Sequence, residues 1–308
     1  MISISSKVKQ FLVFSIKLLI VAVAFYFIYS QLAHNDKLNW SKLIELSKQK
    51  LNFFNVTIIL ILSFLNRFFE ILKWQNLVST IKKISVLEAT KQVLASLTAG
   101  IFTPNGIGEY AGKALYYPKT ETKNIVFLNL ICNGIQMIIT VVFGTIGLFI
   151  LGNFKIAGFI IALAMLLFVL LFVSKKIRIK GYSIEKLIES INQIPKKVHR
   201  KNIFLGLLRY VIFTHQFYFL FVIFGVSVPY ITMLASKSCI YFLSSSLPSF
   251  QFLDFAVKGS VAVYYLSKFG INEWLIVFVT TFMWFLNVVL PIFIGSFYVL
   301  SFKLKTAK

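Results

Sequence analysis

Runs of about twenty predominantly apolar residues recur along this 308-residue chain, and no other feature constrains its fold so strongly. A helix rises about 1.5 Å per residue and the hydrocarbon core of a bilayer is roughly 30 Å thick, so about 20 such residues make one crossing. Crossings are predicted near residues 10–30, 52–72, 124–151, 155–174, 203–226 and 272–300. Composition agrees: 58% of residues are hydrophobic and 17% aromatic, where a soluble domain is about 45–50% apolar. The run Phe11 to Ser30 has no small-residue cleavage pattern behind it and reads as a retained span or signal anchor. The expected fold is an all-α, polytopic transmembrane helical bundle forming one integral membrane domain.

The formal net charge of +22 would suggest nucleic acid in a soluble protein, because clustered Lys and Arg neutralise phosphates. Between membrane spans the same residues collect in cytoplasmic loops and face an anionic leaflet. No nucleic-acid partner is expected. The largest basic cluster, Lys175, Lys176, Arg178, Lys180, Lys186, Lys196, Lys197, Arg200 and Lys201, is predicted to be cytoplasmic, as are both termini. The turn at Asn153 is then outside. Residues 31–51 should also lie outside, yet they carry Lys37, Lys42, Lys48 and Lys50. A short interfacial helix using Leu38, Trp40, Leu43, Ile44 and Leu46 accounts for part of this exception. Ile184, Leu187, Ile188 and Ile191 have the spacing of one helix face in the basic linker.

Two shorter hydrophobic stretches, 85–121 and 229–270, are each interrupted near the middle by a proline. With the orientation above, the first leaves and returns to the cytoplasmic side and the second does the same from outside. Two re-entrant hairpins entering from opposite faces predict an inverted repeat, with halves at about 52–174 and 203–301 joined by the linker 175–201. Each break has hydroxyl residues, then Pro104 or Pro248, then an acid (Glu109, Asp254), then a lysine four residues later (Lys113, Lys258). An acid and a lysine at i, i+4 share a helix face and can pair. Proline ends the incoming helix, Gly106 and Gly108 permit backbone shapes closed to other residues, and the new helix offers N–H groups to an anion. Substrate binding is therefore expected at Pro104, Gly106, Gly108, Glu109, Lys113, Pro248, Asp254 and Lys258. Arg67 and Glu70, at i, i+3, are candidate supporting residues, and Lys91 and Lys237 candidate positive lining.

Other chemistries lack their frames. Cys132 and Cys239 sit in apolar segments, and His34, His199 and His215 are scattered, so neither a metal nor a cofactor is expected. The sequence contains no nucleophile elbow and no Walker-type glycine loop.

The segment Asn66-Arg67-Phe68-Phe69-Glu70-Ile71-Leu72-Lys73-Trp74, the break Pro104-Asn105-Gly106-Ile107-Gly108-Glu109 and the later Leu247-Pro248 break resemble the lysylphosphatidylglycerol synthase transmembrane-region family of flippase-like membrane proteins. The resemblance spans nearly the whole chain, and Asn105 stands where that family usually has glycine. It implies a lipid-handling domain of the bacterial or archaeal cell membrane. Longer members continue into a soluble aminoacyl-transferase domain; these 308 residues contain none, so only the flippase-like half is expected to apply.

The leading expectation is translocation or binding of polar lipid headgroups across the bacterial inner membrane, without enzymatic activity. The partners would be anionic or zwitterionic phospholipids, or a lipid-linked substrate. An intramembrane lipid-modifying transferase and a non-catalytic partner of a separately encoded lipid-modifying enzyme are the alternatives. Oligomeric state is left open.

Overall fold

In the computed structural model the described residues are 40–101, 103, 106–173, 178–179, 182–247 and 253–302, with Ser15, Leu19, Ala22 and Tyr26. The expected crossing near 10–30 falls almost wholly outside them, as do Pro104, Pro248, Lys175, Lys176, Lys180 and both termini. Five helical segments among the described residues are long and apolar enough to cross a membrane: Phe53–Val78, Lys119–Ile150, Phe154–Leu171, Lys196–Ile223 and Glu273–Ser301. They match the five remaining predicted crossings. The chain is a multi-pass membrane protein built as a helical bundle.

Helix α1 (Trp40–Lys50) is the short amphipathic helix expected before the second crossing. Helix α2 (Phe53–Val78) starts at Asn52, whose side chain accepts from the Asn55 amide at 2.9 Å. Such a cap satisfies one of the four amides left open at every helix start. Helix α3 (Val86–Gly100) opens with a reciprocal box between Ser85 and Glu88. After the break comes α4 (Gly108–Ala114), and then α5 (Thr122–Ile150) and α6 (Phe154–Val173). Arg178–Ile179 and Tyr182–Ser183 form a two-residue antiparallel ladder. It leads into α7 (Ile184–Gln193), the predicted linker helix, and α8 (Lys196–Ile223). The second set continues with α9 (Tyr230–Ser246), α10 (Asp254–Leu266), α11 (Glu273–Trp284), a π turn (Phe285–Val289) and α12 (Leu290–Ser301).

Packing repeats across the two sets. Helix α2 lies against α8, α3 against α12, and α9 against α5, while α4 folds onto α3 and α10 onto α9. Exchanging α2 with α8, α3–α4 with α9–α10, and α5 with α11–α12 reproduces the same neighbours, as a two-fold relation requires. The α2–α8 pair is antiparallel, since Gln216 bonds to Ile59 and Ser63 whereas Arg209 bonds to Asn66 and Glu70. Small residues let the exchanged contacts close. A Cβ on Gly147 of α5 would lie 2.7 Å from the carbonyl oxygen of Ala235 on α9. On α12, a Cβ at Gly295 would collide with the carbonyl of Leu94 on α3.

Two apolar clusters occupy opposite ends of the bundle. One gathers Trp74, Leu77 and Val78 at the end of α2 with Val93 of α3 and Ile125 and Leu128 at the start of α5. The other gathers Phe217 and Phe221 at the end of α8 with Met233 of α9 and Ile276 and Val279 of α11, joined by Ile59 from the start of α2. Between them the helices turn polar. Helix α6 stands apart, with Phe159, Leu166 and Phe168 all more than half exposed, as suits a lipid-facing surface.

Candidate functional site: a charged cavity between the hairpins

Asn66, Gln136, Arg209 and Asn287 sit at the midpoints of their four crossings. They line a cavity of about 590 Å³, a volume within the range of small-molecule sites, about 300–1,000 Å³. The hairpins contribute Glu109 of α4 and Lys237, Tyr241, Asp254 and Lys258 of α9 and α10. Arg67, Glu70 and Arg209 complete its ionisable lining.

The centre is a closed polar network. Glu70 Oε2 accepts from Arg67 Nη1 at 2.6 Å and from Arg209 Nη2 at 3.0 Å. Arg209 Nε donates to Asn66 Oδ1 at 3.1 Å, Asn66 Nδ2 to Asn287 Oδ1 at 2.7 Å, and Asn287 Nδ2 to Gln216 Oε1 at 3.0 Å. Arg67 Nη2 closes the ring on the carbonyl oxygen of Asn287. That carbonyl is free to accept because residue 291, which would bond to it in a regular α-helix, is proline and has no N–H. The π turn at 285–289 thus aims backbone as well as side chain at the centre.

The two hairpins bring different chemistry. Asp254 and Lys258 pair at i, i+4, as the spacing predicts, and remain partly accessible. Lys258 Nζ also lies 4.9 Å above the ring of Tyr241. Lys113 does not line the cavity. It is buried, donates to Asn129 Oδ1 at 2.6 Å and sits 4.7 Å over Trp74. One turn of helix has carried it behind the wall that Glu109 faces. Lys73 is likewise held behind the wall, donating to Cys132 O at 3.0 Å and to the lining residue Gln136 at 3.2 Å.

Gly106 has φ +69°, the left-handed conformation that glycine adopts without strain. Gly108 serves another purpose: a Cβ there would stand 3.1 Å from Gly100 Cα on the incoming limb. The amides at the start of α4 are already used. Gly108 N donates to Thr103 Oγ1 at 2.7 Å, Glu109 N to Gly106 O and Tyr110 N to Ile107 O. The anion contact expected at these amides is therefore not made: Thr103 Oγ1 and two main-chain carbonyls already take them.

Lys237 is 4% exposed, midway along α9. Its Nζ lies 4.5 Å from the centroid of Phe213, 4.4 Å from Phe217 and 4.2 Å from Tyr241. A lysine charge at the centre of a membrane helix costs about 2.5–3.5 kcal/mol on insertion. Aromatic faces contribute about 0.5–2 kcal/mol per contact, so the three rings offset much of that cost.

Lys237 lines the cavity as expected, whereas Lys91 is exposed and lies outside it. Arg209 is the site residue least visible to pattern reading; its signal is a lone cation inside an apolar run, which by itself marks a functional position in a membrane span. Among the described residues, four cations and three acids line the cavity, with Lys73 and Lys113 behind it. The sequence matches no protein-family model, and no curated protein matches it significantly.

Proposed function

We propose that this chain is a flippase-like membrane protein that binds the polar headgroup of a phospholipid or lipid-linked substrate in the central cavity and carries it across the bacterial inner membrane. The observation supporting this reading is the surplus of cations in and behind a cavity at the midpoints of the crossings. Charges at that depth are costly and mark substrate pathways, and a net positive pocket of this size suits a phosphate-bearing headgroup better than an acyl chain. The resemblance to the lysylphosphatidylglycerol synthase transmembrane region points the same way. In this reading residues 52–174 and 203–301 are inverted repeats, the linker 175–201 is cytoplasmic, and Glu109, Asp254 and Lys258 contact substrate.

Reconstitution in liposomes tests the proposal. Purified protein should expose a labelled headgroup on the opposite leaflet without changing the lipid chemically. A new lipid product would instead establish a transferase, and activity only after adding a second protein would establish a non-catalytic partner. Single cysteines test orientation: an impermeant reagent applied to intact cells should label position 153 and spare 186.

A further inference from the structure

Three of the cations lining the cavity are held by acids, and Lys237 differs from them. Arg67 and Arg209 share Glu70, and Lys258 holds Asp254. Among the described residues, Lys237 has neither a carboxylate within ion-pair distance nor a hydrogen-bond acceptor. Three ring faces fix the position of its ammonium while leaving its charge uncancelled and its N–H donors unused. A carboxylate partner would have neutralised it. The side chain is more than nine-tenths buried and contributes to the cavity wall.

We propose that Lys237 is the anchor of an anion subsite, and that the anion it takes is a phosphate. The Tyr241 ring borders both Lys237 and Lys258, at 4.2 and 4.9 Å from its centroid, so the two ammonium groups lie within about 9 Å of each other. A tetrahedral oxyanion entering there accepts hydrogen bonds from Lys237, and Lys258 is close enough to add to the field while keeping Asp254. This deepens the lipid-headgroup reading and rests on it for the source of the phosphate, which is either a phospholipid diester or a free phosphate.

Binding to the full-length protein in nanodiscs or detergent, followed by native mass spectrometry and thermal shift, tests this apart from transport. The probes are phosphatidylglycerol, diacylglycerol with the same chains, and inorganic phosphate. Lys237→Met keeps the apolar contacts and removes the charge; Lys237→Arg keeps the charge. Phosphatidylglycerol binding should weaken about ten- to a hundredfold in K237M, the value of a hydrogen bond to a charged group, and largely survive in K237R. The ligand-free melting temperature of K237M should not fall below wild type, which separates an anchor from a core residue. Inorganic phosphate binding with the same dependence on Lys237, in place of lipid, would also support the subsite and assign it to a soluble anion. Equal binding of diacylglycerol, unchanged phosphatidylglycerol affinity in K237M, or no binding of any phosphate probe to wild type would overturn it. Lipid bound through Lys237 but not moved in liposomes would keep the subsite and remove the transport proposal.

Discussion

The two hairpins share an order of residues and differ in how they close. In the first, glycines let the limbs touch: a Cβ on Gly112 would come within 2.9 Å of Ser96 Oγ, and one on Gly100 within 2.7 Å of Glu109 Cγ. In the second, a Cβ on Gly259 would meet only Thr280 Oγ1, at 3.4 Å. The first hairpin buries its lysine against Trp74 and Asn129; the second keeps its lysine beside an acid in the cavity. The same acid-to-lysine spacing has thus produced a closed wall on one side and an accessible ion pair on the other. Spacing determines which residues share a helix face, but the partner helix determines what that face meets.

The largest effect should come from the centre that both hairpins flank. Glu70→Gln leaves two guanidinium groups without their carboxylate, and breaking a buried ion pair this way costs about 3–5 kcal/mol. Thermal unfolding in detergent should show a loss larger than any single hairpin substitution; a smaller loss would mean that a hairpin, and not the shared centre, holds the bundle together.

Next, Lys113→Met should destabilise by about 1–3 kcal/mol, because Asn129 Oδ1 loses its buried donor. Lys258→Met should cost under about 1 kcal/mol, since its pair is more than a fifth exposed and screened, yet it should abolish most lipid exposure in liposomes. Equal stability losses would erase the distinction between wall and ion pair. Reversing each pair sharpens it further. Asp254→Lys with Lys258→Asp keeps the attraction and should fold but fail in the exposure assay, while Glu109→Lys with Lys113→Glu should unfold at lower temperature.

Glycine substitutions compare the closure of the two hairpins directly, and the smallest effect of all is expected at Gly259. Gly112→Ala must part the limbs of the first hairpin, an overpacking cost of about 1–3 kcal/mol. Gly259→Ala should be neutral or stabilise by up to about 1 kcal/mol through helix propensity. Melting temperatures that fall equally would show the second hairpin to be as tightly shut as the first.

Much of this architecture is legible from the chain itself. Five crossings, both interrupted hairpins, the linker helix at Ile184–Gln193 and the Asp254–Lys258 pair follow from apolar run length and helical spacing. Lys113 does not, because its destination depends on Trp74 and Asn129, one residue 39 positions back and the other 16 ahead. Asn66, Asn287 and Gln216 are equally hidden. Asn287 is a lone polar residue in an apolar run, Asn66 stands beside Arg67 and Gln216 beside His215, and only the crossing of α2, α8 and the π turn joins them into one network. Proline breaks are the louder local signal, and they draw attention to the hairpins and away from the crossings, which supply Arg67, Glu70 and Arg209.

The glycine contacts also constrain how the molecule can move. Gly295 holds α3 against α12, and Gly147 holds α9 against α5, each at the level of backbone on backbone. Neither hairpin can therefore swing together with the crossings nearest to it in sequence; each is clamped to a crossing from the other half. The two halves meet again along the α2–α8 seam, where Arg67, Glu70 and Arg209 join the helices through side chains. The halves are thus interlocked like two jaws that each hold a part of the other, with the ionic centre lying between them.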